Sequence, residues 1–289
     1  NTTQLSYNKL DLISGAQSPV GTVSTSPFPM AEDFNGTSIY RIYNDLTIGT
    51  VGGDGTFTLL GTMTGVAGTP SAIAYNWNND TWYVMVLSAA NMPQLCTLNT
   101  STLALTLIGA GTSVNMIIGM DFACDGYLYG PSISPDSLYK IDPTNGALTL
   151  IGPTGVNLNY GQDVSYDLAT GKMYSSTCGA FYKFGTYNLS TGAFTPIYDN
   201  VSDQIATLVI LKDPDPAAND ILSFNFNGLT PVASGTLDAT NHTVAVTVPY
   251  GTDVTALVPT ISVSCGATVS PLSGVAQNFS SPITYTITA

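Results

Sequence analysis

Few residues in this chain could do chemistry. The single histidine, His242, lies in Asp238–Val246, DATNHTVAV. That stretch reads as a hairpin turn, so a turn residue is the stronger reading than a general base. No Gly-x-Ser-x-Gly, His-Glu-x-x-His or phosphate-binding loop occurs. Paired carboxylates would make a glycoside hydrolase, for which Asp121, Asp125 and Asp163 are the candidates. At the hairpin corners of a repeat, however, aspartate usually sets the turn. DPDPAAND (213–220) and NWNND (Asn76–Asp80) cluster the oxygen ligands that calcium takes, but neither fits an EF-hand loop and both read first as solvated turns. Cys96, Cys124, Cys178 and Cys265 lack Cys-x-x-Cys spacing, so disulfides or buried thiols are expected rather than zinc, with the pairing open. The expectation is no enzyme and no cofactor.

The elements that position these groups follow from composition. The 289 residues are 44% hydrophobic and 9% charged, rich in Thr, Ser, Val, Tyr and Gly, with Glu32 the only glutamate and Arg41 the only arginine. Such a chain forms strands rather than helices. The 16 tyrosines could line a carbohydrate surface, but at alternating strand positions they read first as sheet packing. A net charge of −13 argues against nucleic acid and anionic membrane as partners. No apolar run is long enough for a membrane-inserted helix. The chain starts at Asn1 without a basic-then-apolar leader and reads as a mature extracellular or cell-surface protein. Asn-x-Ser/Thr sequons begin at Asn1, Asn35, Asn79, Asn99, Asn188, Asn200, Asn241 and Asn278, and those from Asn35 onward are candidate glycosylation sites.

A repeat of roughly 45 residues organises the first 210. LYKIDPTNGALTLIG (Leu138–Gly152) aligns without a gap on LCTLNTSTLALTLIG (Leu95–Gly109), at an offset of 43. GTFTLLG, YNLSTGAFTPIY and Ser6–Gly21 are further copies. Between them fall AIAYNWNNDTWYVMV, GMDFACDGYLYG, DVSYDLATGKMYSS and the looser AEDFNGTSIYRI. Two hairpins per repeat make four strands, the content of a propeller blade. The repeats resemble those of bacterial surface propellers. A β-propeller of about five blades over residues 1–212 is expected, one blade split between Ser6–Gly21 and Gln204–Asp213, with a solenoid as the alternative.

After a linker at 213–220 come short alternating strands over 221–289, expected to form an Ig-like β-sandwich. VTVPYGTDVTALVPTISVS and SGVAQNFSSPITYTITA resemble the Ig-like repeat of bacterial modular surface proteins. That family continues past YTITA into an Asp-Gly turn and one more strand, which this chain lacks. The resemblance implies a groove of unpaired backbone groups at Ile283, Tyr285 and Ile287, open to a donated strand. Leu5 and Tyr7 of a neighbouring subunit are the candidate donors. The leading expectation is thus a homopolymer, a filament or surface-layer subunit assembled head to tail. The alternative is a secreted adhesin binding glycans or protein on the propeller face; a glycoside hydrolase comes third. If the split blade is real, removing residues 1–21 should abolish the melting transition of the repeat domain, whereas an unchanged melting curve would mean that the ring closes without them.

Overall fold

The computed structural model describes residues 4–14, 16–24, 26–110, 114–159, 162–177, 182–201, 205–211, 218–265 and 267–289, at 4, 5, 115 and 199–201 for the backbone alone. Among the described residues all regular structure is β-strand, and no helix is long and apolar enough to cross a membrane. The chain divides into two compact units, one over most of residues 1–212 and one over 213–289.

The first unit opens with a hairpin of β1 (Gln4–Leu10) and β2 (Gln17–Ser24). β3 (Pro29–Phe34), β4 (Ile39–Tyr43), β5 (Thr47–Val51) and β6 (Phe57–Thr62) form one antiparallel meander. β7 (Thr69–Asn76), β8 (Thr81–Leu87), β9 (Pro93–Asn99) and β10 (Ala104–Ala110) form the next. In the third, β11 (Asn115–Ile117) and β12 (Asp121–Phe122) both pair with β13 (Leu128–Ser134), followed by β14 (Asp136–Ile141) and β15 (Leu148–Pro153). β16 (Val164–Asp167), β17 (Lys172–Thr177), β18 (Tyr182–Tyr187) and β19 (Phe194–Val201) complete the series. Consecutive meanders stacked face to face are the blades of a β-propeller.

Period-two alternation explains how the blades stack. In β8, Trp82, Val84 and Val86 join Ile42, Ile48 and Ile73 in the core against the preceding blade. The intervening Tyr83 and Met85 join Phe122, Leu128 and Tyr139 in the core against the following blade. A strand buried on both faces needs the near-continuous apolar run TWYVMVL. The outermost strands have no such duty, and Leu59, Leu107 and Leu150 are exposed at equivalent places.

The repeated glycine of ALTLIG has a specific task. In β2, β6, β10 and β15 the residue just before it (Val20, Leu60, Ile108, Ile151) bulges out of register. The glycine then meets the outer turn of the next blade. A Cβ on Gly109 would lie 2.0 Å from the Asn145 carbonyl oxygen, and one on Gly152 would lie 2.2 Å from that of Thr191. Gly21 of the hairpin meets Asp54, in the outer turn of the first full blade, at 2.2 Å in the same way. The hairpin therefore stands where the outer strands of a preceding blade would stand.

The second unit holds a sheet of β20 (Ile221–Phe226), β21 (Ala233–Asp238), β22 (Thr243–Val246) and β23 (Thr260–Val263), in the order β22-β21-β20-β23. β24 (Thr268–Ser270) pairs with β25 (Thr286–Thr288). Phe224, Phe226, Leu257 and Ile261 are its buried centre, with Phe279 and Tyr285 packed against it.

Two assembly expectations meet the fold. Tyr7 and the backbone of Leu5 lie in β1, paired with Gly21 and Val23 of their own chain; the Leu5 side chain lies outside the described residues. The expected terminal strand is shorter than its alternation suggested: Ile287 pairs with Val269, the Tyr285 ring lies 5.5 Å from that of Phe224, and Ile283 precedes the strand. Much of the calcium candidate DPDPAAND (213–217) lies outside the described residues, as does Cys178.

The glycine contacts yield a test. Gly152→Ala must displace backbone and should cost about 1–3 kcal/mol, the range for overpacking, while Gly53→Ala, with nothing within 4 Å of its Cβ, should leave the melting temperature unchanged.

Candidate functional site

Two features of the first unit gather functional groups: a buried polar cluster on the inner strands and an open groove between the first two full blades. The cluster begins with acceptors that staple one blade to the next. Asp33 Oδ2 accepts the Tyr75 N–H at 2.8 Å and Asp121 Oδ2 the Tyr166 N–H at 2.6 Å. Ser165 Oγ accepts the Ile210 N–H at 3.0 Å, at the equivalent repeat position. Residues 205–211, which carry no strand assignment, thus run beside β16 where the inner strand of a next blade would lie.

Asp163 links both ends of the series. Its Oδ2 accepts the N–H of Leu208 at 3.1 Å and of Glu32 at 3.2 Å, and its Oδ1 that of Val164 at 2.9 Å. Burial pushes this carboxyl well above the usual range, against the pull of those three donors. Beside it, Glu32 Oε1 accepts Arg41 Nε at 2.6 Å and the Thr207 hydroxyl at 2.9 Å, and Oε2 accepts the Tyr7 hydroxyl at 3.2 Å. The Tyr7 ring also lies 5.0 Å from the guanidinium carbon, and burial, then the Glu32 charge, raises its phenol pKa. The only glutamate and the only arginine of the chain are each about 1% exposed and paired to each other.

This placement removes Asp121 and Asp163 from the reading as paired hydrolytic carboxylates, since both are buried and bonded to backbone N–H groups. Asp125 is a surface group. Its Oδ2 lies 2.7 Å from Lys140 Nζ and accepts the Tyr129 hydroxyl at 2.8 Å, while Lys140 sits 3.6 Å above the Tyr127 ring centroid. His242 lies in the β21–β22 turn with φ +51°. Cys96 is a buried free thiol with its pKa pushed up to about 11 by burial, and Cys124 and Cys265 are disulfide-bonded.

The sequons turn out to be turn motifs. Asn35 Oδ1 accepts the N–H groups of Thr37 and Ser38, Asn99 those of Ser101 and Thr102, and Asn188 those of Ser190 and Thr191. Asn278 accepts the Ser280 N–H, and Asn241 donates to Asp238 at 2.8 Å. Asp142 stands at the repeat position of Asn99 and Asn188 and accepts from Thr144 likewise. Asn-x-Ser/Thr is here the amide form of an Asp-x-Thr turn. In NWNND, Asn76 Oδ1 caps Asn78 and the Asn79 carbonyl accepts the Thr81 hydroxyl. Asp80 Oδ1 accepts the Tyr75 hydroxyl, whose pKa burial and Asp80 push up to about 12. Among the described residues no three His, Cys, Asp or Glu side chains gather as for a metal. The Asn200 side chain lies outside the described residues.

The groove has a volume of about 550 Å³. Tyr40 and Trp82, with ring centroids 4.5 Å apart, belong to its wall. Its rim comes from the turns: Asn35, Asp80, Asn99 and Ser101, with Thr106 on the outer strand. A rim of carboxamide, carboxylate and hydroxyl groups, with the half-buried Tyr40 beside it and Trp82 buried behind, suits a hydroxyl-bearing ligand. The alternation in the sequence reads Tyr40 and Trp82 as sheet packing; only the meeting of two blades makes them one wall.

Comparisons with known proteins place the two units separately. Residues 18–210 match the family model described as "Repeat of unknown function (DUF6923)". Residues 221–289 match "SGBP, N-terminal", a domain of surface glycan-binding proteins. No curated protein matches the chain. Among solved structures, the chain is similar to one in the crystal structure of a nidogen/laminin complex, with 11% identity and TM-score 0.49, covering 85% of this chain and 90% of that one. It is similar to a protein of unknown function from Bacteroides caccae, with 14% identity and TM-score 0.42, covering 66% and 70%. It is also similar to the PQQ-bound aldose sugar dehydrogenase of Streptomyces coelicolor, with 13% identity and TM-score 0.44, covering 76% and 80%.

The buried pair sets an expectation for stability. Glu32→Gln leaves the Arg41 charge without its counterion and should cost about 3–5 kcal/mol, while Thr207→Val should cost about 1 kcal/mol; urea denaturation of both variants checks the order.

Proposed function

The chain belongs to the repeat family of unknown function that its residues 18–210 match, and we propose that it is a cell-surface glycan-binding protein whose propeller face takes the glycan. The observation that carries this reading is the match of residues 221–289 to the surface glycan-binding domain family. The groove supports it with a hydrogen-bonding rim beside the half-buried Tyr40 at a single blade interface. In this reading the first unit is a five-bladed propeller whose split blade combines the β1–β2 hairpin with residues 205–211, and the second is an Ig-like sandwich that carries it.

The reading is of a binder rather than a glycosidase. Asp121 and Asp163 hold the blades together, and Asp125 is engaged with Lys140 and Tyr129. The filament reading loses its donor strand to the chain's own hairpin, and neither family description speaks for a homopolymer.

Titration of the protein with a panel of soluble polysaccharides by calorimetry tests this reading. At least one should bind, and Thr106→Trp, which fills the groove from an exposed position, should weaken it by about tenfold or more, some 1.4 kcal/mol, with the melting temperature unchanged. A panel without a binder, or equal binding by the variant, would refute the groove as the site.

A further inference from the structure

Asp80 departs from the repeat. It closes the β7–β8 turn with φ +53°, in the left-handed region that residues with side chains rarely adopt. Tyr75 pairs with Trp82 across that turn, as Phe122 pairs with Leu128 and Tyr166 with Met173 in the next two sheets. Asp80 stands two residues ahead of Trp82. At the matching places, two residues ahead of Leu128 and of Met173, stand Gly126 (φ +79°) and Gly171 (φ +67°). Glycine takes this conformation freely, so for the turn alone an aspartate is the costlier residue.

A side chain kept where glycine would serve the backbone better points to a task for that side chain. Asp80 Oδ1 accepts the hydroxyl of the buried Tyr75, which fixes the carboxylate and leaves Oδ2 for a donor from outside. Unlike Tyr75, Asp80 is exposed, and it lies on the rim of the groove with Asn35, Asn99 and Thr106. It is the single charged side chain among the residues that line the groove, with no lysine, arginine or histidine beside it.

That charge sorts ligands. A sugar hydroxyl donates to a carboxylate in a charge-assisted hydrogen bond, stronger than one between neutral groups. A uronate or sulfate brings a second negative charge to one that no lining cation offsets, an unfavourable contact. The carboxamides and hydroxyls of the rim both donate and accept, and so do not distinguish the two. Resting on the glycan-binding reading of this groove, we propose that Asp80 is its specificity-determining residue, which accepts hydroxyl hydrogens from a neutral glycan and excludes glycans bearing carboxylate or sulfate groups.

Calorimetry on the full chain tests the assignment with matched ligands. Dextran, pullulan, galactomannan and arabinoxylan form the neutral arm, and polygalacturonate, alginate and heparin the acidic arm. The neutral polymer that binds best is then compared with its carboxymethyl derivative and, as a control for bulk, its hydroxyethyl derivative. The carboxymethyl form should bind about tenfold or more weakly than the parent, and the hydroxyethyl form like the parent. In about 1 M sodium chloride, where the Debye length falls to roughly 3 Å, the difference should narrow. Asp80→Asn keeps Oδ1 for Tyr75, and asparagine tolerates positive φ, so the melting temperature should hold. This variant should bind the neutral parent more weakly and bring the two forms to within about twofold of each other. Equal binding of both forms by the unaltered protein, binding of acidic polymers alone, or a difference that persists in Asp80→Asn would overturn the assignment. If acidic and neutral polymers bind equally and both are lost in Thr106→Trp, the groove reading stands and this one fails. If no polymer of either arm binds, both fail together.

Discussion

The ion pair of Glu32 and Arg41 is the contact on which the first unit turns. Glu32 alone receives hydrogen bonds from three parts of the chain: Tyr7 in the hairpin, Arg41 in the first full blade and Thr207 in the segment after the last. Its own N–H reaches Asp163, just before β16. A buried ion pair is weak evidence for stability in itself, because desolvation offsets the attraction. Its value here is positional. A charge pair withdrawn from water tolerates few arrangements, and the one it has brings the beginning and end of the repeat array to the same place.

The repeats supply the rest by simpler means. The outer strands β2, β6, β10 and β15 bulge, then present a glycine against the turn of the neighbour, and the turns at Asp54, Asn99, Asp142 and Asn188 are closed by a side chain two residues ahead of Ser or Thr. These devices need no charge, which is why a chain with so few ionisable groups can stack blade on blade. They also explain why sequon-like triplets recur with the repeat period.

Much of this was legible in the residues. The gapless alignment of Leu95–Gly109 on Leu138–Gly152 marks equivalent strands and turns, and composition alone excludes helices. The partner of a strand was less legible, since alternation in QLSYNKL says that a strand exists and nothing of what it pairs with. An intramolecular hairpin and a donated strand have the same period. The cluster around Glu32 breaks the repeat, and a residue type present once, in the loosest copy, is the signal the sequence carries for it. The groove beside Tyr40 lies between blades, and no pattern within one blade reveals which side chains meet across the gap.

The bond from Thr207 to Glu32 spans 175 residues of sequence. Contacts so remote in the chain must wait for everything between them, because closing a long loop costs entropy before any of it is returned. During synthesis the hairpin and the first blade emerge long before Thr207 exists, and until then Glu32 and Arg41 have only each other, Tyr7 and Tyr43. Locking the circle is therefore a late event, and an unfinished array keeps an open seam while it waits.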